Sequence, residues 1–162
     1  MSKPIKKIMV YVDGTEQSVT AAQYAICLAA FSGAELIAYY VVNTRAMEDL
    51  LRARIFLKDE QVEYEQDMES DADRYLNHVN ELAVQKGVSI SRKRSKGSVH
   101  KEIVSAVNDE EIDLLVIGEL SRIRSRRDEF YDEAERAMRN VPCSVLIVKD
   151  DDRVWEMYQS LS

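Results

Sequence analysis

Short apolar segments alternate with amphipathic stretches along the 162 residues of the chain, and this alternation limits the folds that it can adopt. Two buried strands joined by a helix run parallel, because a crossover helix is the connection that parallel strands require. The pattern therefore predicts an α/β fold: one domain with an open, parallel, five-stranded sheet and helices on both faces. The predicted strands cover residues 8–12, 35–42, 88–95, 113–118 and 144–149.

The stretches between the predicted strands carry helical spacing and end signals. Thr15 predicts the N-cap of a first helix, and Gly33 supplies the left-handed residue that stops it. Residues 45–86 predict two amphipathic helical pieces. Further helices are predicted after Ser98 and over residues 128–140.

The composition restricts the partners of the chain. With 22 Lys and Arg against 29 Asp and Glu, the net charge of −7 argues against nucleic acid, which attracts a positive surface. No apolar run reaches the length of a membrane span, and the one near the start is too short for a signal peptide. Cys27 and Cys143 stand far apart, without metal or redox spacing. We expect a cytoplasmic protein with reduced thiols and no metal or membrane partner.

Two charged runs each allow two interpretations. Acidic residues between Asp59 and Asp73 form either a solvated helix face or a cation site, and the lack of a calcium-loop pattern favours the solvated face. The third predicted strand carries the basic residues Arg92, Lys93 and Arg94, and Lys96 follows it. They indicate a nucleic-acid contact or an edge strand that charge protects from unwanted pairing, and the acidic composition favours the edge.

Four segments of the chain carry patterns that occur together in one known family: residues 7–18, with a Val-Asp-Gly-Thr turn after the first strand, residues 33–42, residues 97–104, and residues 113–118 with 141–148. Through these segments the chain resembles the universal stress protein family along nearly its whole length. The resemblance implies a Rossmann-like sheet with strand order 3-2-1-4-5. It also implies a homodimer in which the fifth strands of two subunits, residues 144–149, pair antiparallel.

Nucleotide-binding members of the family share a Gly-x2-Gly-x9-Gly-Ser/Thr stretch after the fourth strand, where bare backbone and a hydroxyl approach phosphate oxygens. In this chain Gly118 matches the first glycine, but Ser121, Tyr131 and Asp132 stand at the next three positions. The tyrosine is bulky and the carboxylate repels phosphate. We therefore expect the usual ATP site to be lost and no cofactor to be bound, with ATP or AMP as the disfavoured alternative.

The resemblance also implies which residues would remain of a nucleotide site. Asp13 would lie beside the adenine, Val41 would touch the base, and Gly118 and Ser121 stand at the first two glycine positions of the phosphate motif. Arg124 is added to these candidates from its own chemistry, as part of the arginine-rich loop that follows. Three of them also have structural explanations: Asp13 as a cap of the first helix, Val41 as an apolar strand residue, and Gly118 as a turn glycine.

Arginines are concentrated in the loop between Arg122 and Arg127. Arginine side chains can clamp an anion such as a small nucleotide. They can also pair with the acidic residues of the same region, and the equal number of acids nearby favours these ion pairs.

The predicted domain covers residues 1–149 and ends with the fifth strand. Residues 150–162 form an additional tail that the sheet does not need. Its apolar residues Val154, Trp155 and Tyr158 share one helical face. Because aromatic side chains dominate contact energies, we expect Trp155 and Tyr158 to pack at or beside the dimer seam. Packing against their own subunit is the alternative.

These observations predict a non-enzymatic stress-response module that acts as a homodimer through contacts with unidentified protein partners. The alternative is a sensor that binds an adenine nucleotide or another small anion through the arginine loop. An enzyme is the least favoured class, since neither His78 nor His100 has a nucleophile at a suggestive position.

Overall fold

The structure is a computed structural model that describes residues 4–53, 58–119 and 133–162. Its sheet has five strands in the order β3-β2-β1-β4-β5, and every neighbouring pair is parallel. This confirms the predicted sheet and the order that the family resemblance implies. The strands are β1 (Lys7–Tyr11), β2 (Glu35–Val42), β3 (Ile90–Lys96), β4 (Leu114–Gly118) and β5 (Ser144–Val148).

Helices connect the strands and follow the last one. They are α1 (Glu16–Ser32), α2 (Thr44–Arg52), α3 (Lys58–Val84), α4 (Val99–Asp109), α5 (Glu133–Asn140) and α6 (Asp151–Ser160). The part of the predicted helix 128–140 that precedes Glu133 lies outside the described residues. Of the helices in the described ranges, none has the length and apolar character needed to cross a membrane.

Alternate residues of the strands point to opposite faces of the sheet, and both faces are buried. On one face, side chains such as Ile8 and Val10 pack with α1, α3 and α6. On the other face, Met9 and Ile37 pack with α4 and α5. The sheet therefore lies between two helical layers, as predicted.

The first turn of α1 is fixed by the predicted cap. The Thr15 side chain accepts a hydrogen bond from the backbone N–H of Ser18 at 3.2 Å, as an N-cap does. Gly33 ends the helix in the left-handed conformation with φ 73°. Both ends of α1 lie within one or two residues of their predicted positions.

The basic strand β3 lies at one edge of the sheet, as predicted. Three of its four cations pair with acids of α3 and of the end of α4, and Arg92 donates to the side-chain oxygen of Asn77 in α3. Most acids of the run on α3 are exposed, as the solvated face predicts, and Glu65, Glu69 and Asp73 in addition pair with β3. The side-chain pairs are Arg94 with Asp73, Lys96 with Glu65 and Glu69, and Lys93 with Glu110 at the end of α4.

The C-terminal tail forms α6, which packs on α1. Tyr158 is 1% exposed and belongs to the hydrophobic core of its own chain, whereas Trp155 is 51% exposed. For Tyr158 the structure therefore supports the alternative interpretation, packing within its own subunit. Of the two aromatic residues predicted to lie at the dimer seam, Trp155 is the one with a large exposed surface.

Candidate functional site

The candidate site lies where β1, β2 and β4 end. Strand β1 lies between the other two, with Tyr11 opposite Tyr39 of β2 and Val10 opposite Val116 of β4. Ligands of open parallel sheets bind beyond such carboxyl ends. Asp13, Val41 and Gly118 are at these ends, so the structure brings three of the five predicted residues to one edge of the sheet.

The other predicted contributors lie outside the described residues. They are Ser121 and Arg124, the remaining arginines of the loop, and Tyr131 and Asp132.

Asp13 follows β1, and its exposed carboxylate organises the entry to α1. Its Oδ1 accepts hydrogen bonds from the backbone N–H of Thr15 at 3.0 Å and from the Thr15 hydroxyl at 2.6 Å. Its own N–H donates to the Ser18 hydroxyl at 3.3 Å. This Asx-type turn orients Thr15 as the N-cap. Asp13 therefore has a structural role that requires no ligand.

Gly118 ends β4 beneath the first turn of α1. A Cβ added there would lie 2.5 Å from the carbonyl oxygen of Gln17 and 2.6 Å from its carbonyl carbon. Real Cβ atoms do not approach backbone that closely, so this position requires glycine for packing. A phosphate is not needed to explain it.

Val41 is 5% exposed and lies in the cluster between the sheet and α4, with Tyr39, Val99 and Ile103. Its side chain is thus held by the core. A nucleotide base could therefore reach only the small exposed part of the Val41 side chain.

Tyr11 and Tyr39, which the sequence analysis did not single out, lie on the same face of the site as Val41. Burial, and then the carboxylate of Asp13, raise the pKa of the Tyr11 hydroxyl, with a smaller contribution from Glu133. Burial also raises the pKa of Tyr39, whose hydroxyl contacts Ser95 Oγ and donates to the carbonyl oxygen of Glu102 at 3.2 Å. Both tyrosines therefore stay protonated and neutral.

Glu133, the first residue of α5, lies beside the first turn of α4. Its Oε2 accepts a hydrogen bond from the backbone N–H of His100, in the first turn of α4, at 3.2 Å. The His100 ring contacts Asn140 Nδ2 at 3.0 Å from Nε2, which ties the other end of α5 to the same turn. A carboxylate is favoured at a helix N-terminus. Of the described residues, the carboxylates of Asp13 and Glu133 add to the effect of burial and both raise the pKa of the Tyr11 hydroxyl, so both act on the same end of the site.

The remaining reactive groups of the described residues are poorly suited to catalysis. Cys27 and Cys143 are free and half-buried, and burial raises the pKa of each thiol, which lowers the thiolate fraction. No group of three or more His, Cys, Asp or Glu side chains in the described ranges is arranged to hold a metal ion. His78 lies on an open polar groove of α3 together with Asp73 and Arg74.

The sequence could have placed the two tyrosines in the site, but not Glu133. Tyr11 and Tyr39 stand at inward positions near the ends of predicted strands, so strand alternation could have placed them in the site. Glu133 could not be found this way, because its contact with His100 joins residues 33 positions apart.

Comparisons with known proteins agree with this architecture. A universal stress protein of Methanocaldococcus jannaschii is 31% identical over 144 residues, which are 89% of this chain and 82% of that protein. A crystal structure from the same family in Burkholderia pseudomallei has a TM-score of 0.71 at 20% identity, over 93% of this chain and 100% of that one.

Two further solved structures share the fold and contain adenine nucleotides. A universal stress protein in complex with cAMP has a TM-score of 0.67 at 24% identity, over 90% of this chain and 98% of that one. A family protein of Arabidopsis thaliana with AMP bound has a TM-score of 0.64 at 16% identity, over 91% and 94% of the two chains.

The sequence pattern of the universal stress protein family itself matches residues 4–149, which include all five strands and the candidate site. The chain belongs to the universal stress protein family.

Proposed function

We propose that the chain is a non-enzymatic, cytoplasmic stress-response module that acts as a homodimer through β5, by contacts with further protein partners. The observation that carries this proposal is the difference between the two edges of the sheet. The edge strand β3 is rich in Arg and Lys that contact side chains of the same chain, whereas the edge strand β5 is apolar.

Strand β5 pairs with β4 on one side only. Its central residues Val145, Leu146 and Ile147 are only half-buried, although all three are aliphatic. The corresponding residues of the inner strand β4 are buried. A second β5 paired along this edge would satisfy the backbone hydrogen-bonding groups that an edge strand presents and would remove apolar surface from water.

Strand β3 is unsuited to the same contact. Four of its seven residues are Arg or Lys, and three of them pair with acids of the same chain while remaining partly exposed. A second β3 brought to this edge would bring its own cations against these, and like charges directly opposite each other destabilise a strand pair. The charge pattern therefore supports pairing at β5.

The site supports a protein without catalysis and without the usual triphosphate cradle. Gly118 and Asp13 are explained by packing and by the turn before α1. Among the described residues, Asp13 and Glu133 place two carboxylates where, in addition to burial, they raise the pKa of Tyr11. The sequence adds Tyr131 and Asp132 at the positions where nucleotide-binding relatives have glycine and a hydroxyl residue.

Sedimentation equilibrium tests the dimer. The variants Leu146→Lys and Val145→Lys place a cation on either face of β5, and we expect the wild type to be dimeric and both variants to be monomeric. Ser91→Lys is the matched control, since Ser91 is an exposed residue of the opposite edge strand. Circular dichroism verifies that each variant is folded.

A monomeric wild type at micromolar concentration would contradict the dimer. A Ser91→Lys variant that dissociates as readily as folded Leu146→Lys would place the contact elsewhere.

The relatives solved with cAMP and AMP support a second candidate, a sensor of adenine mononucleotides. Each of these ligands carries one phosphate, so it needs less of the cradle than ATP does. In this candidate Asp13 and Val41 border the base and sugar. Gly118, Ser121 and Arg124 approach the phosphate.

Thermal denaturation with AMP, cAMP or ATP separates the two candidates. A ligand at 100 times its Kd adds about 2.7 kcal/mol to the free energy of unfolding and visibly raises the Tm. The non-enzymatic module predicts no shift with any of the three. The sensor predicts a shift with AMP or cAMP that is lost in Arg124→Ala and kept in Arg139→Ala, which removes an exposed arginine paired with Glu135.

A further inference from the structure

The helix α6 lies beyond the residues that match the family, and it packs on α1. Helix α1 has 17 residues, of which only Glu16 is charged. Eight of its residues are buried, among them the alanines at positions 21, 22, 25 and 29. Helix α1 packs on β1 and β4 and also against α6, so α6 covers a surface of α1 that would otherwise be unsuited to water.

Two side chains one turn apart anchor α6. Val154 is 3% exposed and Tyr158 is 1% exposed, and both belong to the core that includes the alanines of α1. The Tyr158 hydroxyl donates a hydrogen bond to the carbonyl oxygen of Leu82, near the end of α3, at 2.7 Å. Trp155 stacks on Tyr158 with ring centroids 6.1 Å apart and stays half-exposed.

The far end of α6 is held by one cation, Lys86. Its Nζ donates to the carbonyl oxygen of Leu161 at 2.9 Å and lies 4.9 Å from the centre of the Tyr158 ring. A cation at the C-terminal end of a helix is favoured by the helix dipole, and a cation over an aromatic face adds to this. One ammonium group therefore contacts both the end of the tail and its buried anchor.

The backbone that carries Lys86 is itself fixed. The N–H of Lys86 donates to the carbonyl oxygen of Ala83 and the N–H of Gly87 to that of Val84, each at 3.0 Å, in the turn that ends α3. Gly87 adopts the left-handed conformation in this turn, with φ 71°. Lys86 is therefore part of the rigid domain and not of the tail that it holds.

The near end of α6 begins at Asp150, which has φ 64° and ψ 75°. A residue other than glycine rarely adopts this conformation. Only Lys149 and Asp150 separate β5 from α6, so this short link is the place about which the helix would have to rotate to leave α1.

We propose that α6 is a strap that closes over α1, with the link at Asp150 as its hinge and Lys86 as the latch that sets how often it opens. The strap goes beyond the proposed function, since it requires neither a dimer nor a ligand. Opening uncovers the alanine-rich surface of α1 together with Val154 and Tyr158, while the sheet remains intact.

Amide hydrogen exchange of the full chain tests the latch. In Lys86→Gln the charge is lost, and we expect the amides of residues 151–160 to exchange about tenfold faster, because a charged hydrogen bond and a cation–π contact are removed. The amides of β1 are expected to exchange as in the wild type. Lys86→Arg keeps the cation and is expected to stay near the wild-type rate. Lys101→Gln removes an exposed lysine of α4 as a matched control.

Unchanged exchange of α6 in Lys86→Gln would overturn the proposal. So would an equal increase in α6 and β1, because the helix would then open only when the whole domain unfolds. An arginine variant as fast as the glutamine variant would show that the cation is not the latch.

Discussion

At the end of β4, the backbone of Gly118 passes so close to the backbone of Gln17 that no side chain fits between them. A glycine at such a strand end could also be explained by the approach of a phosphate. In this chain the contact with α1 is sufficient to require it.

Gly118→Ala is therefore expected to destabilise the protein with no ligand present. Overpacking against backbone costs about 1–3 kcal/mol, since neither element can move freely. Urea denaturation measures the change, with Gly87→Ala as the control. At Gly87 an added Cβ meets nothing within 4 Å, so only the strain of its positive φ, about 1 kcal/mol, is expected. A Gly118→Ala variant as stable as the wild type would restore a ligand-based explanation.

Asp13 allows a second comparison at this scale. Asn can accept the two hydrogen bonds from Thr15 that Asp13 accepts, whereas Ala cannot. We expect Asp13→Ala to lose about 1 kcal/mol of stability and Asp13→Asn to lose much less. Thermal denaturation of the two variants checks this. Equal losses would indicate that the negative charge, and not the turn, is what α1 requires.

Among the elements, β1 and β4 are joined at their starts by Asp113. The backbone N–H groups of Lys6 and Lys7 donate to its Oδ2 at 2.7 and 3.0 Å and hold the pKa of this carboxyl below its usual value. A carboxyl whose pKa is lower in the folded state stabilises the fold above its unfolded pKa, about 4. That stabilisation is lost as the pH falls through the folded pKa.

The wild type is therefore expected to be more stable than Asp113→Asn at neutral pH, and the difference is expected to shrink below about pH 4 as the carboxyl becomes protonated. Urea denaturation at several pH values measures it. A difference that stays constant down to the acid range would show that the charge of Asp113 does not contribute.

The elements themselves could be predicted from the sequence because their signals are local. The β-branched runs gave all five strands within two residues, and Thr15 and Gly33 marked the ends of α1. The pairing of α3 with β3 could not be predicted, because Glu65 and Lys96 are 31 residues apart and no local pattern joins them.

The candidate site could be predicted only in part, for the same reason. Asp13 and Gly118 were identified from turn signals at strand ends, but their actual partners, Thr15 and Gln17, depend on how α1 crosses the sheet. Tyr158 was expected at a dimer seam because an aromatic residue in a polar tail suggests a contact. The sequence could not show that Leu82 and Lys86 provide that contact within the chain.

For the molecule as a whole, residues beyond the segment that matches the family, 4–149, also contribute to the free energy of unfolding. Tyr158→Ala removes a fully buried ring and its hydrogen bond, and a loss of about 3–5 kcal/mol in the free energy of unfolding is expected. Trp155→Ala, which removes the half-exposed neighbour, is expected to cost much less. Chemical denaturation compares the two. Similar losses would mean that α6 is held by its exposed aromatic surface.

The unequal edges of the sheet also limit how many copies of the chain can associate through it. If both outer strands were open and apolar, each added copy would offer a fresh edge, and the sheets would extend into a filament. Here only β5 is apolar, while the cations of β3 oppose addition at the far side. In the proposed dimer, pairing at β5 would occupy the apolar edge strand of each copy, so assembly through the sheet would end at two.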